Sequence, residues 1–117
     1  ASRPLTRVLG YTVAKHGIDG YTKWMSTELA IRYGDKVRVN AIAPGVFLTD
    51  QNHKLLINED GSYSDRAQKF INGTPYKRFG NPDELKGAIV YLLSDASAFV
   101  TGEILFIDGG FNSWCGV

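Results

Sequence analysis

The feature that most limits the fold is a short, continuous apolar run near the end of the chain. Ile104–Ile107 has the sequence Ile-Leu-Phe-Ile and precedes Asp108-Gly109-Gly110. A strand without polar alternation is typical of a parallel sheet that helices cover on both faces. A second strand is predicted over 37–43, where it ends at Pro44-Gly45, and the 60 residues of 44–103 leave room for a helical crossover. We therefore predict an α/β fold in which two parallel strands are flanked by helices.

The spacing of apolar residues predicts two long helices. Over 11–33 they recur at three- and four-residue steps, and Gly34 is a typical stop signal. Asn81-Pro82-Asp83-Glu84 combines an N-cap, a proline suited to the first helical position and a glutamate that can close a capping box. The helix that starts there should end near 94–96. The predicted apolar stripes are Ala14, Ile18, Tyr21, Met25 and Leu29 in the first helix, and Leu85, Ala88, Ile89, Leu92 and Leu93 in the last.

The segment between the first strand and Asn81 is irregular and rich in Asn, Asp and Gly. Two short helices are predicted within it, one inside 50–57 and one over 64–71. Ser64 is the expected N-cap of the second, because a serine hydroxyl can accept a hydrogen bond from a free N–H of the first turn.

Composition and charge exclude several classes of function. The 117 residues carry a formal net charge of +1, so neither a nucleic-acid nor a membrane partner is expected. The sequence shows no apolar run near the roughly 20 residues of a membrane span. The single cysteine, Cys115, fits a reducing compartment, and we predict a cytoplasmic protein. His16 and His53 have no third residue at metal-ligand spacing, so no metal site is expected.

Tyr11 and Lys15 are the first candidates for chemistry. They stand four residues apart on the first predicted helix, so their side chains project from one face about one turn apart. An ammonium near a phenol favours the phenolate through Coulomb attraction. A tyrosine in this setting can exchange a proton with a substrate hydroxyl or carbonyl. Taken alone, the pair also fits a chance neighbourhood on a helix surface.

The order of motifs around this pair resembles the C-terminal half of short-chain dehydrogenases/reductases (SDRs). Nearly the whole chain takes part in the resemblance, which implies the C-terminal part of a Rossmann-like, doubly wound parallel sheet. The motifs are Tyr11-Thr12-Val13-Ala14-Lys15 before a long helix, Asn40-Ala41-Ile42-Ala43-Pro44-Gly45 with Thr49 four residues on, Arg78-Phe79-Gly80, Asn81-Pro82-Asp83-Glu84, and Thr101-Gly102-Glu103 ahead of Asp108-Gly109-Gly110.

The resemblance implies roles for both members of the pair and for the loop after the first strand. Tyr11 matches the family's general acid/base, and Lys15 matches the lysine that favours its ionisation and hydrogen-bonds the nicotinamide ribose. In the loop, Pro44 and Gly45 match the turn beneath the nicotinamide ring, and Val46 matches the position whose backbone binds the carboxamide. Thr49 matches a residue that contacts the carboxamide or the pyrophosphate.

Two parts of the family pattern have no counterpart in the sequence. The catalytic serine would fall ahead of Ala1, and Ser2 stands too close to Tyr11 to take its place. The Gly-rich phosphate loop is missing, since Gly109-Gly110 follows the last strand and opens no helix. We therefore expect 1–117 to be a single partial domain that lacks the cofactor-binding half. The full-length protein should use NAD(H) or NADP(H), whereas this chain alone should bind no cofactor and be inactive.

Several stretches most resemble SDR-type D-mannonate oxidoreductases, also called fructuronate reductases. They are 47–56, 58–62 leading to Thr74-Pro75, and 3–7. This implies a sugar-acid substrate, D-mannonate or D-fructuronate. Asn52 and Lys54 are the candidate substrate contacts, because a carboxylate needs cationic or N–H donors. Alternatively, they are solvated loop residues or cap the following helix. Arg7 is a weaker candidate.

Two other functions stay open at this stage: an SDR acting on another alcohol or ketone, and an inactive fragment that associates with itself. Family members commonly form tetramers, and a half-domain would expose apolar surface, so we expect a homo-oligomer. The aromatic residues expected in the core or at a subunit interface are Tyr21, Trp24, Tyr91, Phe99 and Phe106.

Overall fold

The computed structural model describes residues 8–116, so the predictions that concern Ser2, 3–7 and Arg7 lie outside the described residues. The helices are α1 (Leu9–Tyr33), α2 (Asp50–Leu56), α3 (Asp65–Gly73) and α4 (Lys86–Leu93), with 3-10 turns at Gly34–Lys36, Pro82–Leu85 and Asp95–Ser97. The strands are β1 (Ala41–Pro44) and β2 (Ile104–Ile107), and they pair with each other. Among the described residues, no helix is both long and apolar enough to cross a membrane.

The two strands run parallel, as predicted. Ala41 N donates to Glu103 O, and Gly45 N donates to Ile107 O, both at 2.9 Å. Partners that advance together along both strands define a parallel ladder. The α/β fold with two parallel strands and flanking helices is therefore confirmed.

The described chain forms two compact units. The first unit contains the described residues up to Ala43 together with Gly87–Leu105, and the second contains Pro44–Lys86 with the described residues from Phe106 onward. Each strand thus begins in the first unit and ends in the second. The expectation that 1–117 form a single partial domain stays a prediction.

In the first unit, the buried side of α1 differs from the predicted stripe. Ile18 and Tyr21 are exposed, whereas Thr22 and Ser26 are buried. The reason is a close backbone approach at Gly102, where a Cβ atom would lie 2.8 Å from Ser26 Oγ. Only a small side chain fits beneath such a turn. Each hydroxyl donates to a carbonyl of α1, from Thr22 Oγ1 to Ile18 O and from Ser26 Oγ to Lys23 O.

Strand β1 is shorter than the predicted 37–43. Before Ala41, Gly102 N still donates to Val39 O at 2.7 Å, but side chains take over other hydrogen bonds that a regular ladder would make. Asn40 Nδ2 donates to Val100 O at 2.9 Å, and its Oδ1 accepts from Glu103 N at 3.0 Å. Val39 N donates to Thr101 Oγ1 at 3.1 Å. The segment is held in place, but its pattern is not that of a strand.

The helical segment starts after Asn81 as predicted, first as the 3-10 turn Pro82–Leu85 and then as α4, which ends at Leu93, just before the predicted 94–96. Its apolar stripe is not buried. Asn81 Oδ1 accepts from Asp83 N, and Asn81 N donates to Glu84 Oε2, so the capping box is present. None of Lys86–Leu93 is buried, and Leu93 is 80% exposed. Likewise, β2 is only partly buried rather than buried on both faces. A two-stranded sheet offers too little surface to cover these residues.

The second unit holds a compact apolar core. Its buried members come from α2, α3 and the segment before α4: Leu56, Ala67, Ile71 and Phe79, with Val46, Leu48 and Phe70 packed against them. Ser64 is the N-cap of α3, as predicted, and its hydroxyl accepts from Ala67 N at 3.2 Å and donates to Leu55 O at 2.8 Å. Both short helices are therefore confirmed, and the N-cap serine also joins the end of one to the start of the other.

Candidate active site

The first two turns of α1 present Tyr11 and Lys15 on one exposed face. Lys15 Nζ lies 5.3 Å from the centroid of the Tyr11 ring, and the tyrosine is 54% exposed. The helix is regular from its start, since Thr12 N donates to Val8 O at 2.9 Å, and this regularity sets the one-turn spacing. A cation over a ring at this distance is attracted by it. The predicted pair is therefore brought together, with room for a ligand beside it.

The neighbouring histidine is turned toward the helix backbone. His16 Nδ1 lies 2.8 Å from Thr12 O, one turn back along α1. In the part of the chain that the structure describes, no three His, Cys, Asp or Glu residues are grouped to hold a metal ion.

The loop that follows β1 starts with two tight approaches of the backbone. A Cβ atom at Gly45 would lie 2.7 Å from Asp108 Cα, so this position requires glycine to let the ends of β1 and β2 approach each other. Val46 O accepts from Gly80 N at 2.9 Å, and Phe47 forms a parallel bridge with Gly80. A Cβ atom at Gly80 would lie 2.3 Å from the Phe47 ring. The start of the predicted nicotinamide-contact loop is thus held by backbone packing.

The rest of the loop is held by Asn52. Its Oδ1 accepts from Thr49 N at 2.9 Å, and its Nδ2 donates to Phe47 O at 2.7 Å. Thr49 is exposed, in extended conformation, at the N-cap position of α2. These bonds favour the alternative in which Asn52 caps the helix. Lys54 is exposed in the last turn of α2, where its ammonium can reach solvent or a ligand.

A cavity of about 110 Å³ opens within the second unit. Its walls include the residues directly after β1 and β2, where ligands of open parallel sheets bind. Among its lining residues are Gly45, Val46, Arg78, Glu84, Asp108 and Gly109. The volume is well below the roughly 300 Å³ of typical small-molecule pockets. By itself, this cavity is therefore too small for a nicotinamide or a sugar acid.

An ion pair that sequence analysis missed stands at the rim of this cavity. Arg78 donates from Nη1 to Glu84 Oε2 at 2.9 Å and from Nη2 to Glu84 Oε1 at 2.6 Å. The Arg78 guanidinium, followed by the backbone N–H of Asn81, lowers the pKa of Glu84 to about 2. The same pairing raises the pKa of Arg78. Only the capping role of Glu84 could be foreseen, because its reach to Arg78 depends on how the turn folds.

The turn after β2 is closed by Asp108. Its Oδ1 accepts from Gly110 N at 2.9 Å, and its Oδ2 accepts from Asn112 N at 2.8 Å. Gly109 and Gly110 have φ values of 61° and 88°, which favour glycine. The Asp-Gly-Gly motif thus shapes a turn, in agreement with its not being a phosphate loop.

The family assignment follows from comparison with known proteins. Residues 1–112 match the profile of an SDR family described as enoyl-(acyl carrier protein) reductase. The chain therefore belongs to the short-chain dehydrogenase/reductase family.

Its relatives include several oxidoreductases. The uncharacterised oxidoreductase UxuB of Bacillus subtilis is 48% identical over 118 residues, a match that spans 100% of this chain and 41% of that protein. A proposed D-mannonate oxidoreductase from Haemophilus influenza, crystallised with bound NAD, superposes with a TM-score of 0.88 at 41% identity and covers 97% of this chain and 40% of its own. A gluconate 5-dehydrogenase from Burkholderia cenocepacia in complex with NADP and tartrate gives 0.81 at 35% identity, with 97% and 42% covered.

The matched share of the relative's own length is similar in the three comparisons, at 41%, 40% and 42%. The chain spans about two fifths of the length of these relatives. The ligands and activities of these relatives therefore support only a proposal about the whole protein.

Proposed function

We propose that this chain supplies the proton-transfer pair and the nicotinamide-contact loop of an NAD(P)-dependent oxidoreductase that acts on a sugar acid. D-Mannonate and D-fructuronate are the preferred substrate pair. The observation that carries the proposal is the Lys15 ammonium, 5.3 Å from the Tyr11 ring on an exposed helix face of an SDR chain. Two of the similar structures contain NAD or NADP, which supports a nicotinamide cofactor.

The residues present fit the nicotinamide end of such a cofactor. The test is whether polar groups at the proposed contacts are open to a ligand. Tyr11, Lys15, Pro44 and Thr49 are all exposed. Gly45 N and Val46 O are already bonded to Ile107 O and Gly80 N, so the half-buried Gly45 and Val46 would contribute their other backbone groups. Lys15 would hold the ribose, and the loop from Pro44 to Thr49 would hold the ring and its carboxamide. When bound, the cofactor supplies the hydride acceptor or donor.

The chain's own chemical contribution is proton transfer at the Tyr11 hydroxyl oxygen. In oxidation, that oxygen takes the proton of the substrate hydroxyl, and in reduction it returns a proton to the carbonyl oxygen. Lys15 places its positive charge beside this group, 5.3 Å from the centroid of the Tyr11 ring. The exposed position lets the proton exchange with water between turnovers.

Recognition of the substrate carboxylate is proposed for the loop and α2. Lys54 is the better placed of the two candidates, because it is exposed and carries a full positive charge. Asn52 retains one N–H and one lone pair beyond its two hydrogen bonds to Thr49 and Phe47, so a direct contact to substrate is still chemically open to it. Exchanging Lys54 for methionine should raise the sugar-acid KM.

The proposal is tested by Tyr11→Phe in the full-length protein. We expect the rate of NAD-dependent D-mannonate oxidation to fall by about 10²–10⁴-fold, since the proton acceptor is lost while the ring remains. The matched control is Tyr21→Phe, an exposed tyrosine further along the same helix. A near-normal rate for Tyr11→Phe would sink the assignment.

The substrate class needs its own measurement, because another alcohol or ketone remains the alternative within the family. We expect kcat/KM to be higher for D-mannonate than for gluconate or for an uncharged sugar alcohol of the same length. A preference for uncharged alcohols would leave the oxidoreductase assignment standing but would contradict a sugar acid as the substrate.

A second candidate function is an inactive module that associates with itself. It is supported by the exposed apolar residues of the first unit, where Leu93 is 80% exposed and Phe99 is fully so. We expect residues 1–117 alone to sediment as a homo-oligomer and to leave NADH fluorescence unchanged. Tight NADH binding by this chain would contradict the expectation that it binds no cofactor alone, and a stable monomer would contradict self-association.

A further inference from the structure

Asn52 makes hydrogen bonds to two separate points of the loop after β1. The 2.9 Å bond from Thr49 N and the 2.7 Å bond to Phe47 O together span the segment between these residues. The orientation of the amide is fixed by chemistry, since a backbone N–H can only donate and a carbonyl can only accept. Asn52 is also half-buried, so its side chain has less freedom than an exposed amide.

The first part of the same loop is held by a backbone hydrogen bond and by packing against Gly80. Gly80 N donates to Val46 O, and the buried Phe47 ring covers Gly80, which holds the first part of the loop. Asn52 takes over at Phe47 and extends the hold to Thr49. Thr49 is exposed and carries one of the proposed cofactor contacts. Its carbonyl oxygen accepts from the backbone of α2, from Asn52 N and His53 N, and the Asn52 side chain adds the bond from its amide.

We propose that Asn52 is a positioning residue, which holds Thr49 and the loop before it in the conformation that receives the nicotinamide end of the cofactor. This inference rests on the proposed function. It differs from a substrate contact because the two roles affect different ligands. Loss of a positioning residue weakens cofactor binding, whereas loss of a substrate contact raises the sugar-acid KM alone.

Two variants separate the hydrogen bonds from each other. Asn52→Ala removes both. Asn52→Asp keeps an oxygen for Thr49 N, but it replaces the donor to Phe47 O with an oxygen that the carbonyl repels. Asn72→Ala is the matched control, because it removes an exposed amide from α3 whose oxygen accepts from Gln68 Nε2.

The experiment measures hydrogen exchange at the Thr49 amide and NADH binding by fluorescence in the full-length protein. For Asn52→Ala we expect exchange roughly fivefold faster and an NADH dissociation constant raised by a similar factor, the size of one lost hydrogen bond. Asn52→Asp should keep the slow exchange yet still bind NADH more weakly. Asn72→Ala should change neither quantity.

The outcomes distinguish this inference from the proposed function. If the unaltered protein binds NADH but both Asn52 variants bind it equally well, the positioning role is overturned while the oxidoreductase stands. A rise in the sugar-acid KM with unchanged exchange and NADH binding would make Asn52 a substrate contact instead. If the unaltered protein binds no NADH, the proposed function and this inference fail together.

Discussion

The two units of the chain differ in whether they bury hydrophobic side chains. Among the described residues, every buried hydrophobic side chain lies in the second unit: Phe47, Leu56, Ala67, Ile71 and Phe79. The buried side chains of the first unit are the hydroxyl residues Thr22, Ser26 and Ser97. The second unit therefore has a hydrophobic core of its own, whereas the apolar residues described in the first unit are either half-buried or exposed.

The largest contrast should appear when an apolar side chain is shortened in each unit. Leu56→Ala removes a side chain that is 2% exposed and should lower the free energy of unfolding by about 2–5 kcal/mol. Leu93→Ala, at a position 80% exposed, should change it by less than about 0.5 kcal/mol. Urea unfolding of the chain 1–117 measures both. A comparable loss for Leu93→Ala would mean that a self-associated surface covers this residue.

Adding a methyl group at a glycine in each unit compares how tightly the two units are packed. At Gly80 the new Cβ would lie 2.3 Å from the buried Phe47 ring, so Gly80→Ala should cost about 1–3 kcal/mol. At Gly87 in α4 nothing lies within 4 Å, and Gly87→Ala should instead stabilise the helix by about 0.5–1 kcal/mol. Equal effects in thermal unfolding would show that the second unit is no more tightly packed than the first.

Replacing Arg38 should show how much its hydrogen bonds stabilise the first unit. Its guanidinium donates to Leu92 O, Ser94 O and Ser97 Oγ at 3.0, 3.1 and 2.8 Å, which satisfies carbonyls at the end of α4. Arg38→Ala should lower the free energy of unfolding by about 1.5–3 kcal/mol. Arg38→Lys should recover part of it, since one ammonium cannot reproduce the fork of the guanidinium. A neutral Arg38→Ala would contradict this account.

The smallest effect is expected from pH, and it concerns the second unit. The pKa of Glu84 is lowered to about 2 in the folded chain from an ordinary value of 4.5, through Arg78 and the N–H of Asn81. This ion pair therefore stabilises the fold fully above pH 4.5, and its contribution is lost as the pH falls toward 2. Glu84→Gln should flatten that part of the stability profile, which is measured by thermal unfolding between pH 2 and 6. An unchanged slope would exclude this role.

Local signals in the sequence predicted the elements well. Gly34 ends α1, Asn81-Pro82-Asp83-Glu84 forms a capping box, and Ser64 caps α3, because each of these devices acts within a few residues of chain. The parallel pair of strands also followed, since an apolar run after a helical crossover has few other uses. The Tyr11–Lys15 neighbourhood could be foreseen because a regular helix sets it.

Contacts made across the fold could not be foreseen. Periodicity predicted that the apolar stripe of α1 is buried. The close approach of Gly102 instead places Thr22 and Ser26 on the buried side. The sequence left Asn52 as a substrate contact or a cap of the following helix; its bond from Thr49 N fits the cap, whereas its bond to Phe47 O arises only once the loop has folded back. Such cases depend on which backbone groups lack a partner, and a sequence does not show that.

The hydrogen bonds from Arg38 to the end of α4 have a consequence for the order in which the chain folds. Its three acceptors are 54, 56 and 59 residues away along the chain, whereas Ser64 meets its partners within nine. Closing a long loop is entropically costly before any contact compensates for it, so long-range contacts form slowly. We therefore expect the α2–α3 hairpin to be structured in the folding transition state, and the end of α4 to become fixed only after the rate-limiting barrier has been crossed.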